Sequence, residues 1–248
     1  MAAFSTRCTK KVKLNGNEPC WCRILAAQLR LRLERSPAFR REDFIVSDAN
    51  VEAVRTLDAW PHWPGGALAL TGPAGSGKTH LARAWAERSG AITPAAEDTF
   101  DPTRFEGVPV LLEDVDQADH GETLFHLINI AARGGAGLLL TARTPPSGWS
   151  TDLPDLRSRL KALPVAALGE PDDMILAGVL AKLFRERHIL PADDLIPYLV
   201  KRMERSGVAA SELVARLDEA ASLDQRAINR NLARQVLDFA GDDDDLLE

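Results

Sequence analysis

Apolar residues recur along this chain with two different periods, and the period changes near residue 168. Before that point the apolar positions come in short unbroken runs: Ala67–Leu70, Val108–Leu112 and Leu138–Thr141. Runs of this length without polar alternation predict parallel strands buried on both faces. Between them lie segments near 79–89 and 122–133 whose apolar residues recur every three or four positions, the spacing of an amphipathic helix. The sequence Leu168-Gly169-Glu170-Pro171 punctuates the chain, and only helical stripes follow. Ile175, Leu176, Val179, Leu180 and Leu183 form the first; Leu195, Ile196, Leu199, Val200 and Met203 the second. Leu213, Val214 and Leu217 belong to a third, and Ile228, Leu232, Val236 and Leu237 to a fourth. Pro197 falls in the first turn of its helix, where a missing N–H costs little.

The pattern predicts an α/β domain with a parallel sheet over 34–168, then a small α-helical lid domain over 169–240. Residues 1–27 sustain no period; Arg7, Lys10, Lys11 and Lys13 make them basic, and they read as a disordered extension. Residues 241–248 form an acidic tail, read as solvated. Composition trims the alternatives. The chain has 248 residues, 45% of them hydrophobic, enough for one medium domain and a small one. No run of about 18 apolar residues predicts a membrane span, and the N-terminus lacks a signal-peptide core, so a cytoplasmic location is expected. A net charge of −6 gives no support to a large nucleic-acid surface, although a local basic patch can hide within it. The cysteines, Cys8, Cys20 and Cys22, have no histidine nearby and read as free thiols rather than zinc ligands.

The strongest chemical signal is Gly72-Pro73-Ala74-Gly75-Ser76-Gly77-Lys78-Thr79, continued by His80 and Leu81. It matches G-x-x-x-x-G-K-[ST] between a strand and a helix. Glycines allow the turn to aim backbone N–H groups at a polyphosphate, and the helix N-terminus adds partial positive charge. Lys78 would reach the outer phosphates of ADP or ATP, and the Thr79 hydroxyl would complete a Mg²⁺ shell. The strand over 108–112 delivers Glu113 and Asp114 at its C-terminal end, where an open α/β sheet binds ligands. The favoured assignment gives Glu113 the metal and Asp114 the attacking water; a shifted strand would give the roles to Asp114 and Asp116. Thr141 and Arg143 end the third run and are both candidates to lie beside a γ-phosphate. Arg157 and Arg159 mark the far edge of the domain, and an arginine offered there to a neighbour's nucleotide would stabilise a transferring phosphoryl group. Arg159 is the preferred finger and Arg157 the reserve. A sheet domain with this loop followed by a helical bundle is the layout of an AAA+ ATPase.

Gly77-Lys-Thr-His-Leu81, Thr141-Ala-Arg-Thr-Pro-Pro146 and Leu153-Pro-Asp-Leu-Arg-Ser-Arg-Leu160 resemble the AAA+ module of the bacterial replication initiator DnaA. The closer resemblance is to the Hda family of DnaA-related regulators: Ile189–Asp194, Tyr198–Arg205 and Leu217-Asp218 look like its lid. Phe44–Asn50 is similar to the linker that packs near the adenine. Two features favour Hda over DnaA. Only a short acidic stretch follows Ala240, leaving no room for a helix-turn-helix reader, so no sequence-specific DNA binding is expected. Gln28, Leu29, Leu31 and Leu33 resemble the Gln-Leu-x-Leu-x-Leu peptide by which Hda docks on the polymerase III sliding clamp. The resemblance implies a nucleoid-associated protein that holds ADP or ATP, hydrolyses it weakly or not at all, and presents Arg159 to ATP-bound DnaA. The family's lid arginine would align near Ser211, and Arg216 faces elsewhere on that helix, which suits nucleotide retention. A homodimer that hides the finger stays open. The rival readings are an autonomous ATPase, such as a helicase loader, and a factor that anchors replication proteins.

Overall fold

The parallel sheet is built as the apolar runs predict, with a fourth strand that they do not reveal. The computed structural model describes residues 39–94, 101–117, 121–134, 136–224 and 227–242, all of them within one unit, Phe39–Glu248. The basic extension over 1–27 and the candidate clamp peptide with Gln28, Leu29, Leu31 and Leu33 lie outside the described residues, as do 243–248 of the tail. In chain order the elements are α1 (Val51–Asp58), β1 (Ala67–Thr71), α2 (Lys78–Ser89), β2 (Val110–Leu112), α3 (Gly121–Ala132), β3 (Leu138–Ala142), α4 (Pro154–Ala162) and β4 (Val165–Ala167). Four helices follow: α5 (Asp173–Glu186), α6 (Leu195–Val200), α7 (Gly207–Asp224) and α8 (Arg230–Asp242).

The sheet order is β2-β3-β1-β4, with every pairing parallel. β1 and β3 sit centrally and are buried along their whole length. Alternating side chains divide between two cores, as strand geometry demands. Leu68, Leu70, Leu111 and Leu139 pack with Val54, Leu57, Leu81 and Trp85 on the α1/α2 side. Leu138, Leu140, Val110 and Leu112 pack with Leu124, Leu127, Leu156 and Leu160 on the α3/α4 side. The second strand starts at Val110 rather than Val108, because Pro109 has no N–H for the ladder. Its carbonyl accepts from the Ile92 N–H instead, at 2.9 Å.

The lid helices share a third core around Leu176, Leu180, Phe184, Leu195, Leu199, Val214 and Leu217, with Leu232 and Val236 of α8 closing it. Asp172 starts this half of the chain. Its carboxylate caps α5 by accepting from the Ile175 N–H at 2.8 Å. A hydrogen bond from Ser47, followed by the Ile175 and Met174 N–H groups, outweighs burial and holds this carboxyl below its ordinary value of 3.8. A carboxyl depressed in the folded state stabilises above its unfolded pKa, and that contribution is lost as pH falls through the folded value. Asp172→Ala is therefore expected to cost about 1 kcal/mol at neutral pH. The gap from wild type should close below pH 3.8 in urea melts taken across a pH series.

Candidate functional site

The loop between β1 and α2 closes over itself through its lysine. Lys78 is 7% exposed, and its Nζ donates to the carbonyls of Gly72 and Pro73, both at 2.8 Å. Burial lowers its pKa, and the nearby Asp114 carboxylate pulls it back up. Gly77 adopts φ +95° as the helix cap, and a Cβ there would lie 2.8 Å from Phe44. Gly75 has φ +71°, and its missing Cβ leaves room for Ser206 of the lid. Both positions exclude other residues on conformation and space together. Ser76 carries a buried hydroxyl with no partner among the described residues.

Two distant parts of the chain converge on this loop. The Gly207 N–H, at the start of α7, donates to the Gly75 carbonyl at 3.1 Å, so the lid touches the loop directly. The 39–50 segment brackets the other side. Phe44 and Phe39 each approach the His80 ring with centroids 5.6 Å apart. His80 Nε2 lies 2.8 Å from the Arg40 carbonyl, and burial holds the imidazole below its usual pKa. The same segment grips the lid, since Asp43 pairs with Lys182 at 3.2 Å and Ile45 fills the space that a Cβ on Gly178 would need. Phe44 thus stands at the loop, while its neighbours bind α5.

At the end of β2 the two acids have different partners. Glu113 accepts from Arg83 of α2 through Nε and Nη2, both at 3.2 Å. Asp114 is exposed, sits in the left-handed region at φ +51°, and its N–H donates to Thr141 Oγ1 at 2.9 Å. Thr141, only 1% exposed, therefore ties the tip of β3 to the acidic turn. Asp116 uses its Oδ2 to hold the turn after β3, while its Oδ1 is buried without a partner among the described residues. It accepts from the Arg143 and Thr144 N–H groups and the Thr144 hydroxyl, each at 3.0 Å. Burial opposes its ionisation, but these bonds outweigh it and hold the carboxyl below its ordinary value. The exposed Thr79 follows Lys78 in the first turn of α2.

The residues fit a nucleoside polyphosphate. The buried ammonium, the unpartnered Ser76 hydroxyl and glycines that no Cβ could replace form a cradle for phosphate oxygens. Among the described residues no group of three His, Cys, Asp or Glu could by itself hold a metal ion. A Mg²⁺ here would take Thr79, Glu113 or Asp114 together with phosphate oxygens and water.

The remaining candidates are arginines of α4 and the lid. Arg159, exposed on α4, holds its guanidinium 5.5 Å from the centre of the Phe125 ring. Arg157 is tied to the Thr151 carbonyl at 2.8 Å. In the lid, Arg216 donates to the Val236 carbonyl of α8 at 2.8 Å, and Arg205 pairs with Asp173 at 2.7 Å. Reading the sequence misses Arg83 and the Asp43–Lys182 pair, both formed between residues far apart in the chain.

The parallel sheet, the loop after β1 and the helices that follow it make a DnaA-like AAA+ fold. It is shared with domain III of the Thermotoga maritima replication initiation protein DnaA, at TM-score 0.67 and 16% identity over 82% of this chain and 97% of that one. AMPPCP-bound DnaA from Aquifex aeolicus matches at TM-score 0.59 and 20% identity, covering 76% and 66% of the two chains. A single-residue variant of Thermotoga maritima RuvB matches at TM-score 0.61 and 15% identity, covering 81% and 71%. No protein-family model matches the sequence. The chain belongs to the same family as an uncharacterized protein of Haemophilus influenzae, to which it is 30% identical over 186 residues, 68% of this chain and 80% of that protein. No helix among the described residues is long and apolar enough to cross a membrane.

Proposed function

We propose that this protein is a replication-initiation regulator of the Hda type, holding ADP or ATP and promoting hydrolysis of DnaA-bound ATP while docked on the sliding clamp. The observation that carries the reading is a DnaA-like fold with a glycine-lysine loop and, on α4, an exposed arginine. The loop has its lysine and glycines in a phosphate cradle. Its lid arginines Arg205 and Arg216 are committed to Asp173 and α8. Arg159 meanwhile is exposed on α4, with its guanidinium over the Phe125 ring. Such an arrangement suits a nucleotide kept as a structural ligand and an arginine offered to another protein's ATP. That a DnaA of the same fold binds AMPPCP supports the nucleotide.

In this reading Phe44 and His80 border the nucleotide at the loop, Lys78 orients its phosphates, and Thr141 fixes the turn that carries Asp114. Mg²⁺, when bound, supplies charge neutralisation at the phosphates. Gln28, Leu29, Leu31 and Leu33 supply the clamp peptide. The test reconstitutes DnaA loaded with labelled ATP, clamp and primed DNA, and follows hydrolysis with and without this protein. Gln28→Ala is expected to abolish clamp binding in a pull-down and to return hydrolysis to the level of DnaA alone. If wild-type protein leaves that rate unchanged, the reading is wrong. Rapid hydrolysis by the purified protein alone would favour the autonomous motor.

A further inference from the structure

The lid carries a second candidate site that the nucleotide loop does not use. A groove of about 570 Å³ opens between the end of α6 and α8, lined by Tyr198, Arg202, Arg230, Arg234 and Asp238 among others. On a protein of net charge −6, it gathers three guanidiniums against one lining carboxylate. The arginines are organised by packing. Arg202 lies 4.1 Å and Arg230 4.7 Å from the centre of the Tyr198 ring, and such stacking limits the rotamers each must lose on binding. Arg234 follows Arg230 by one helical turn, so α8 presents both on one face.

Their present ion pairs are long. Arg230 reaches Asp194 at 4.0 Å and Arg234 reaches Asp238 at 3.6 Å, with every one of these side chains more than half exposed. Pairs of that kind contribute about 0–1 kcal/mol and exchange readily. A carboxylate ligand would replace one carboxylate by another with little net gain. A phosphodiester backbone differs, because each phosphate neutralised also releases condensed counterions. We propose that this lid groove binds the phosphate backbone of nucleic acid without sequence preference, through Arg202, Arg230 and Arg234. The site is distinct from the nucleotide loop and needs neither the clamp nor the arginine finger.

Anisotropy of a fluorescein-labelled oligo-dT, titrated with the full-length protein from about 50 to 200 mM salt, tests it. Wild-type protein is expected to bind at the low end with a steep salt dependence. The Arg230→Ala/Arg234→Ala double variant should bind at least about tenfold more weakly, with the slope of log affinity against log salt reduced by about 1.4, the value for two single-strand phosphate contacts. Asp238→Asn, which removes the competing carboxylate without touching an arginine, should tighten binding severalfold. Arg55→Ala on α1, an exposed arginine paired within its own helix, should bind like wild type. Absence of wild-type binding at low salt overturns the proposal. So does an unchanged slope in the double variant, failure of Asp238→Asn to tighten binding, or equal displacement of the oligonucleotide by a poly-glutamate peptide of matched charge.

Discussion

Lys78→Met will weaken ADP and ATP binding by at least about 100-fold, close to 3 kcal/mol, while the protein stays folded. The ammonium is the buried positive charge of the loop, 7% exposed and directed at the carbonyls of Gly72 and Pro73. Burial already lowers its pKa, so its charge is held at a cost that a phosphate ligand offsets. Methionine keeps the apolar stem beside Gly72 and removes only the charge and its donors. The expected signature is loss of a fluorescent ADP analogue in equilibrium titration, together with a melting temperature that ligand no longer raises. A variant that binds as tightly as wild type would show that the backbone N–H cradle alone holds the phosphates.

Whether a feature is readable from the chain alone depends on whether its physics is local. The loop is legible because its chemistry demands fixed residue types at fixed spacing: Gly75 and Gly77 need positive φ, and Lys78 must follow at once. β1, β3 and the lid helices are legible because burial on both faces, or on one stripe, leaves an unbroken apolar record. β4 leaves none. It is a three-residue edge strand with Ala166 buried between the more open Val165 and Ala167, too short for a period to show. α1 escapes the pattern because only Ala53, Val54 and Leu57 mark its inner face, next to a stretch that resembles a linker.

Pairings between distant residues are out of reach altogether. Glu113 is thirty positions from Arg83, and nothing in either neighbourhood announces their contact. Asp116 is an alternative catalytic acid on spacing alone, and spacing could not show that one of its two oxygens, Oδ2, holds the turn after β3. A strand ending in several acids tells which of them are available only when the residues facing it are known. The bracket formed by Asp43, Phe44 and Ile45 makes the same point, since their partners alternate: α5, the loop, and α5 again one turn away.

Arg159→Ala is expected to give the largest effect of all, a loss of about 10³-fold or more in the stimulation of DnaA-bound ATP hydrolysis. A finger contributes mainly as charge develops on the transferring phosphoryl group, so its removal should lower the maximal rate far more than it weakens complex formation. Within its own protein the guanidinium lies over the Phe125 ring at 5.5 Å, an exposed contact of about 0.5–1 kcal/mol. Stability and nucleotide retention should therefore be close to wild type, and that separates the outcome from Lys78→Met. Phe125→Leu offers the graded case. It keeps the arginine and takes away the surface that limits its rotamers, so a smaller loss of rate with unchanged clamp pull-down is expected. Single-turnover hydrolysis of labelled ATP on DnaA, with both variants at saturating concentration, reads the difference. If Arg159→Ala stimulates like wild type while Arg157→Ala does not, the finger is Arg157, which would first have to leave the Thr151 carbonyl.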